Sequence, residues 1–394
     1  MEIVLVGSYP LSANCIRGGV ESSVYGLAQA LVARKHVVDV FDYPRIEGND
    51  KSERHDLLTI HRYANNGTHN QDAAQRAKEI FRDIVALHPT IVHLHGTGEL
   101  SLLLYQAINN FGIPTVLTVH GLLHEEKKNA LCKHPSIKHL YQYIHQSNIE
   151  SKVLSLTSRI IVDTKYVADK INEYYIKRRI SNLPIIDIIP QGINEHFVSL
   201  YNKDKQFSNN ILSVGSISKR KGHLYLVEAF EKVCQTIPDA KLVIAGVNSE
   251  VAYYNLLTKR ISSSNYKDNI ELLTDLPQDE LYKYYSQATL FALHSEEESQ
   301  GIALVEAMGT GLPIVSTTVG GIPDVVTDKQ TGLLSAYSDV DNFANNIISL
   351  LQNPKVVSTM SINAHKQALS SVWDSIASKI ECVYQSIVQA QSPV

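Results

Sequence analysis

The sequence predicts an α/β protein made of two doubly wound domains. Three observations carry this. Short apolar, β-branched runs alternate with helix-length amphipathic stretches from end to end; 394 residues exceed one ordinary core; and a polar, aperiodic stretch, 195–210, interrupts the alternation near the middle. The boundary is therefore placed at 200/201, giving domains over 1–200 and 201–370, with a closing helix over 371–394.

In the first half, Ile3–Gly7, Val37–Tyr43, Thr59–Tyr63, Ile91–His95, Thr115–His120, Ile160–Asp163 and Ile185–Ile189 read as strands. In the second half the strands are Ile211–Gly215, Lys241–Gly246, Ile270–Thr274, Leu290–Leu293, Pro313–Ser316 and Gly332–Leu334. A helix from Val20 to Ala33 puts Val20, Val24, Leu27 and Leu31 on one stripe, with Arg34, Lys35 and His36 at its carboxyl end, where positive charge suits the dipole. Trp373, Ile376, Ile380, Tyr384 and Ile387 form the stripe of the last helix. No solenoid repeat or low-complexity tract is present.

A net charge of −4 and the lack of an arginine-rich or aromatic-interleaved tract argue against nucleic-acid binding. Cys15, Cys132, Cys234 and Cys382 are scattered, with no C-x-x-C pair, so neither a zinc site nor a disulfide framework is expected. The opening MEIVLVGSYP has no basic residue ahead of its apolar run and reads as a strand rather than a signal peptide. Nowhere do eighteen consecutive apolar residues offer a membrane span. The expectation is a cytoplasmic protein whose membrane contact, if any, is peripheral and on the inner face.

Doubly wound domains bind ligands beyond the carboxyl ends of their strands, so the loops there are the candidate sites. Gly18 and Gly19 precede a helix, where backbone amides can approach an anion; no dinucleotide G-x-G-x-x-G accompanies them. His120 stands at the carboxyl end of its strand and precedes a glycine. Lys219, Arg220 and Lys221 lie between a strand and a helix, where cations can neutralise a diphosphate leaving group, although the loop lacks the P-loop pattern. Glu298 and Glu306 bracket the apolar run Ile302, Ala303, Leu304 and Val305, so that a loop carboxylate and a helical one could address one ligand. Each feature has a plainer reading: a tight turn, an ordinary histidine, a solvated basic loop, and an acidic run 296–298 ahead of an exposed helical glutamate. A glycine-containing loop, 319–334, is expected to turn toward the same region.

Together these stretches resemble the retaining GT-B glycosyltransferases of family 4. Glu298 to Glu306 matches the E-x7-E motif, AMGTGLPIVSTTVGGIPDVV follows it, and VGSISKRKGH falls at the phosphate loop. RGGVESSVYGLAQAL, IVHLHG, LTVHG and IIPQGINEHF occur in the family's order, and SVWDSIASKIECVY resembles its terminal helix. The resemblance implies two Rossmann-like α/β/α domains facing across a cleft, with the C-terminal helix crossing back to the N-terminal domain. It implies a nucleotide-sugar donor, UDP- or GDP-linked, as substrate; no cofactor and no catalytic metal; and a glycan or lipid-linked acceptor. Glu298 would hold donor-sugar hydroxyls, Glu306 the ribose, and Gly18, Gly19 and the amides of Gly301 and Ile302 the diphosphate. His120 would face the transferred sugar, and Lys221 would stabilise the departing diphosphate.

The chain departs from this pattern at Ser216, where the family places an arginine; Arg220 or Lys219 could substitute. Ser299 and Gln300 replace the common pair after the first glutamate and are the expected determinants of sugar preference; Gln191 replaces a frequent asparagine. The only D-x-D triplet, Asp339-Val340-Asp341, reads as a helix cap. Residues 127–179 hold eleven Lys or Arg against four acids, with Tyr141, Tyr143, Ile144, Tyr174, Tyr175 and Ile176 interleaved, a composition suited to anionic headgroups as well as to solvated helix faces. Two other functions remain open at this point: a nucleotide-sugar epimerase, which shares the two-domain plan, and a catalytically silent nucleotide-sugar-binding protein.

Overall fold

The computed structural model describes residues 1–12, 16, 18–46, 50–64, 71–178 and 183–391; Cys15, named above, and Arg179, the last of the eleven cations in 127–179, lie outside them. Two compact units result: residues 1–10, 19–190 and 374–394 form the first, and residues 11–18 and 191–373 the second. The main break thus falls between Pro190 and Gln191, ahead of the expected 200/201. Part of the polar stretch that suggested the later boundary folds as a short helix, whose Phe197 joins the core of the second unit.

In the first unit the elements run β1 (Glu2–Gly7), α1 (Gly19–Ala33), β2 (Val37–Ile46), β3 (Lys51–His55), β4 (Leu58–Ala64), α2 (Gln71–Ala86), β5 (Ile91–His95), α3 (Glu99–Phe111), β6 (Thr115–Val119), α4 (Leu123–Lys133), α5 (Ile137–Leu156), β7 (Arg159–Val162), α6 (Lys165–Arg178) and β8 (Ile185–Ile188). The sheet order is β3-β4-β2-β1-β5-β6-β7-β8, parallel except for the antiparallel β3–β4 pair. Every strand read from the sequence is present. β3 was not foreseen, and its composition explains why: KSERH has no apolar residue, and this edge strand buries none of its side chains.

The second unit continues with α7 (Glu195–Ser199), β9 (Asn210–Val214), α8 (His223–Thr236), β10 (Lys241–Gly246), α9 (Val251–Ser262), β11 (Ile270–Thr274), α10 (Gln278–Gln287), β12 (Leu290–Leu293), α11 (Ile302–Gly309), β13 (Ile314–Thr317), α12 (Ile322–Val325), β14 (Gly332–Ser335), α13 (Val340–Leu351) and α14 (Pro354–Ala368), and the chain closes with α15 (Trp373–Gln391). Its sheet is wholly parallel, in the order β11-β10-β9-β12-β13-β14, the doubly wound 3-2-1-4-5-6 arrangement. Successive strand residues feed opposite faces, as the two-residue period requires. Ile211, Leu290 and Ala292 pack with Leu226, Phe230 and Val233 of α8, whereas Leu212, Phe291 and Leu293 pack with Leu304, Val305 and Met308 of α11.

From Asp374 onward α15 belongs to the first unit. Ile376, Ile380 and Tyr384 of the foreseen stripe are buried. Arg34, read from the sequence as a dipole partner at the end of α1, is instead a clamp for α15. Its guanidinium grips Glu381 through Nε at 2.9 Å and Nη2 at 2.7 Å, and reaches Asp374 at 2.9 Å. Arg34 and His36 together hold the Glu381 carboxyl below its usual range.

Candidate functional site

In the second unit the strand order reverses between β9 and β12, where a doubly wound sheet opens at its carboxyl edge. The loops 215–222 and 294–301 leave the sheet there, tied together by the Glu296 N–H donating to the Arg220 carbonyl at 2.8 Å. Lys221 ends a single 3-10 turn, Lys219–Lys221, and its ammonium forms an ion pair with the Glu298 carboxylate. Glu298 is 4% exposed and accepts a further hydrogen bond from Ser295 Oγ at 2.9 Å. Burial pushes this carboxyl up; Lys221 and Arg220, with hydrogen bonds from Lys221 and Ser295, outweigh burial and hold it below the usual range.

The glycine loop after β13 fixes the other side of Glu298. Gly320 has φ 56°, and a Cβ there would lie 1.9 Å from the Glu298 carbonyl oxygen, so only glycine permits this approach. The same carbonyl accepts from the Gly321 N–H at 2.9 Å. Beyond Glu298, Gly301 is the N-cap of α11, and no side chain caps it, which leaves the helix start open toward an anion at Ile302.

Glu306 projects from α11 and is half-buried, with Tyr285 O–H donating to its Oε2 at 3.0 Å. Burial raises its carboxyl to about 7, against a smaller lowering by Tyr285. Leu304 and Val305 point into the core as expected, while Ile302 is only partly covered.

Two expectations change here. Gln300, expected beside the sugar, is 2% exposed; its Oε1 accepts from the Gln191 N–H at 2.8 Å and its Nε2 reaches the Gln191 carbonyl at 3.4 Å. Its amide thus pairs with backbone as a strand would, whereas Ser299 is half-buried. Ser216 is half-buried with its hydroxyl 3.3 Å from Ser218 Oγ. Of its two candidate substitutes, Arg220 is the one whose charge bears on Glu298.

Gly19 opens α1 of the first unit; Gly18, which belongs to the second, is exposed, with no protein atom within 4 Å of where its Cβ would stand. Packing therefore does not demand glycine at Gly18. His120 is the first residue beyond β6. The register Val119↔Val162 sets it beside Asp163, and His120 Nδ1 lies 3.2 Å from Asp163 Oδ2. Its Nε2 is 3.1 Å from His95 Nδ1. The loop after His120 is pinned by Glu150, which is fully buried and accepts from the backbone N–H groups of Leu123 and His124 and from Thr97 Oγ1.

Two family patterns divide the chain almost completely: Glycosyltransferase Family 4 matches residues 17–196 and Glycosyl transferases group 1 matches residues 196–367. The chain belongs to the family 4 GT-B glycosyltransferases. Its relatives include the phosphatidylinositol N-acetylglucosaminyltransferase gpi3 subunit of Schizosaccharomyces pombe, 23% identical over 94% of this chain and 78% of that protein. N-acetyl-alpha-D-glucosaminyl L-malate synthase of Bacillus anthracis is 26% identical over 76% of this chain and 75% of that protein. Among solved structures, sucrose-phosphate synthase from Thermosynechococcus elongatus superposes with a TM-score of 0.79 at 22% identity, covering 99% of this chain and 100% of that one. HepE from Anabaena, solved with UDP, gives 0.71 at 15% identity over 98% and 100% of the two chains.

In this glycosyltransferase the sequence had named Lys221, Glu298 and Glu306 but not what sets them: Ser295, Gly320 and Tyr285. His95 and Asp163 were missed as well, although His93 and His95 stand two apart in one strand and so share a face. Asp339 accepts from the Asn342 N–H at 2.9 Å and caps α13, while Asp341 pairs with Lys232. Among the described residues no three His, Cys, Asp or Glu side chains gather as a metal site would require, and no helix is long and apolar enough to cross a membrane.

Proposed function

We propose that this glycosyltransferase is a metal-independent retaining enzyme that transfers a hexosyl or N-acetylhexosaminyl group from a UDP- or GDP-linked donor to a hydroxyl of a glycan or lipid-linked acceptor, in cell-surface polysaccharide or glycolipid synthesis. The observation that carries this reading is the arrangement of Lys221, Glu298 and Glu306 at the point where the second sheet reverses. Both named relatives are N-acetylglucosaminyl enzymes, which favours an N-acetylhexosaminyl donor.

In this reading Glu298 accepts from donor-sugar hydroxyls, Glu306 from the ribose, and the start of α11 at Gly301 and Ile302 binds phosphate. Lys221 and Arg220 neutralise the leaving diphosphate. The acceptor hydroxyl enters on the face the diphosphate leaves, and a phosphate oxygen takes its proton, so neither glutamate acts as a base. The ion pair adds a prediction, because Glu298 holds Lys221 when no donor is bound. Glu298→Gln should bind UDP or GDP at least as tightly as wild type yet lose transfer by about a hundredfold or more, whereas Lys221→Ala should lose both. Near-normal transfer by Glu298→Gln across a panel of UDP- and GDP-sugars sinks the assignment. In the same assay an altered sugar without an acceptor supports an epimerase, and binding without turnover supports a silent protein.

A second feature supports a lipid-linked acceptor. Ile137, Leu140, Tyr141 and Ile144 of α5 form one helical stripe and are all exposed, Ile137 to 89%, with Lys128, Lys133 and Lys138 exposed nearby in sequence. Tyr174 and Tyr175 take no part, since both are buried and donate to the carbonyls of Ser147 and Leu154. Vesicles containing anionic lipid should sediment the protein at low salt, and Ile137→Ser with Tyr141→Ser should abolish this; sedimentation unchanged by the double substitution rules the stripe out.

A further inference from the structure

We propose that Glu150 is a positioning residue for transfer: from the interior of α5 it locks together the loops that follow β5 and β6, and so fixes where His120 stands. The proposal rests on the reading of His120 as the group beside the transferred sugar.

β5 and β6 are neighbours, and the loops 96–98 and 120–122 leave their carboxyl ends. α4 begins at Leu123 with Leu122 as its N-cap, and a leucine side chain has no oxygen to offer the first N–H groups of a helix. Glu150 supplies both oxygens from another helix. Its Oε1 accepts from the Leu123 N–H at 2.8 Å and from Thr97 Oγ1 at 2.5 Å. Its Oε2 accepts from the His124 N–H at 2.9 Å, with His124 Nδ1 2.6 Å away. One turn earlier on α5, Gln146 Nε2 donates to the Thr97 carbonyl at 3.3 Å, so Thr97 is held by side chain and backbone alike.

The anchor is itself fixed. Glu150 is fully buried, as are Ser147, Ile149, Val153 and Leu154 around it. Tyr174 and Tyr175 of α6 donate to the Ser147 and Leu154 carbonyls, each at 2.6 Å. At the start of α11, by contrast, no side chain caps the helix, and an anion can enter there. The start of α4 is filled by a carboxyl group of the chain's own, so the loop is held before any ligand arrives.

This arrangement has a chemical use. Only residues 120–122 lie between β6, fixed by its sheet, and Leu123, fixed by Glu150, so His120 stands on a short segment tied at both ends. Displacing a group beside a reacting carbon by about 1 Å costs about a hundredfold in rate. The carboxyl group cannot be replaced by an amide of the same shape. Each oxygen takes one backbone N–H, and glutamine has one oxygen, so in either orientation its NH2 group faces the N–H of Leu123 or of His124.

The test uses the full chain. Glu150→Gln should lower kcat by about tenfold or more, with donor KM and UDP or GDP affinity within about threefold of wild type, because Lys221, Glu298 and Glu306 belong to the other unit. Hydrogen exchange read by mass spectrometry should quicken by about tenfold or more in peptides covering 120–126, and stay unchanged in the second unit. Thr97→Val, which removes the hydroxyl and keeps the shape, should also lower kcat, and Thr97→Ser should recover to within about threefold of wild type. Wild-type kcat in Glu150→Gln, a fall in kcat without faster exchange at 120–126, or a loss of UDP and GDP affinity as large as the loss of kcat overturns the proposal. If Glu150→Gln fails to fold, the two Thr97 variants decide, and equal kcat in both overturns it. His120→Ala separates the two readings: normal transfer by that variant sinks the reading of His120, whereas lost transfer there beside wild-type kcat in Glu150→Gln sinks the role of Glu150 alone.

Discussion

Glu298 owes its position to backbone as much as to charge. Its carbonyl is approached so closely by Gly320 that a methyl group there cannot be accommodated without moving one loop or the other. Gly320→Ala is therefore expected to cost about 1–3 kcal/mol of stability, from an αL alanine and the clash together. It should also reduce transfer more than a hundredfold, although no side-chain function is lost; melting and transfer assays on that one variant check both. Glu306 predicts a pH dependence. Its carboxyl is raised to about 7 in the folded protein, so the native state binds more protons than the unfolded chain between about 4.3 and 7, and this group's contribution to stability falls as pH rises through that window. In the proposed site ribose hydroxyls donate to the ionised form, so ligand binding should improve over the same rise. Affinity for a nucleotide sugar, whose diphosphate diester does not titrate in this range, should increase up to about tenfold from pH 6 to pH 8. Glu306→Gln should flatten the curve, and Tyr285→Phe should move its midpoint upward, because Tyr285 lowers this carboxyl. A flat wild-type titration removes Glu306 from the ribose. At this scale the sequence disclosed the charged residues and concealed their settings. A glutamate eight positions from another is visible in a string, but Gly320 reaches Glu298 only after β13 has been laid beside β12.

Elements were legible wherever an apolar period existed. Most strands of both sheets bury at least one face and so wrote an apolar run; β8 wrote one although Ile185 and Ile188 are exposed, whereas β3 lies at an edge and had no pattern to leave. The setting of Gln300 was hidden for a related reason: a polar residue in a loop reads as solvent- or ligand-facing, and only the path of residue 191 shows that its amide completes a backbone pairing. β5 shows the opposite case. HLH inside an otherwise apolar strand breaks the pattern of a buried core, a signal that could have singled out His93, whose partners Thr118 and Tyr384 lie on β6 and α15, and His95, which meets His120 just beyond β6. Tyr384→Phe removes the hydroxyl facing His93 and should cost about 1–2 kcal/mol of stability, measurable by denaturant unfolding.

At the level of the whole chain, each unit carries its own sheet and core, but only the second is nearly continuous in sequence. A fragment spanning 191–373 contains Lys221, Glu298 and Glu306 with every strand of their sheet, and should fold and bind UDP or GDP by itself. Truncation after Trp373 should act on the other unit. It removes Ile376, Ile380 and Val383, each worth ~1.5–3 kcal/mol when buried, together with the grip of Arg34 on Glu381. Calorimetry of the truncated chain should show one cooperative transition, raised by nucleotide, with the first unit melted; two intact transitions would refute the role given to α15.

The interrupted sequence of the first unit also constrains its synthesis. Residues 1–190 emerge from the ribosome first, yet their sheet must wait for α15 to close over it, and α15 is translated only after the whole second unit. The half of the enzyme that carries His120 is begun first and completed last, and until then it depends on avoiding aggregation while its docking surface for α15 lies bare.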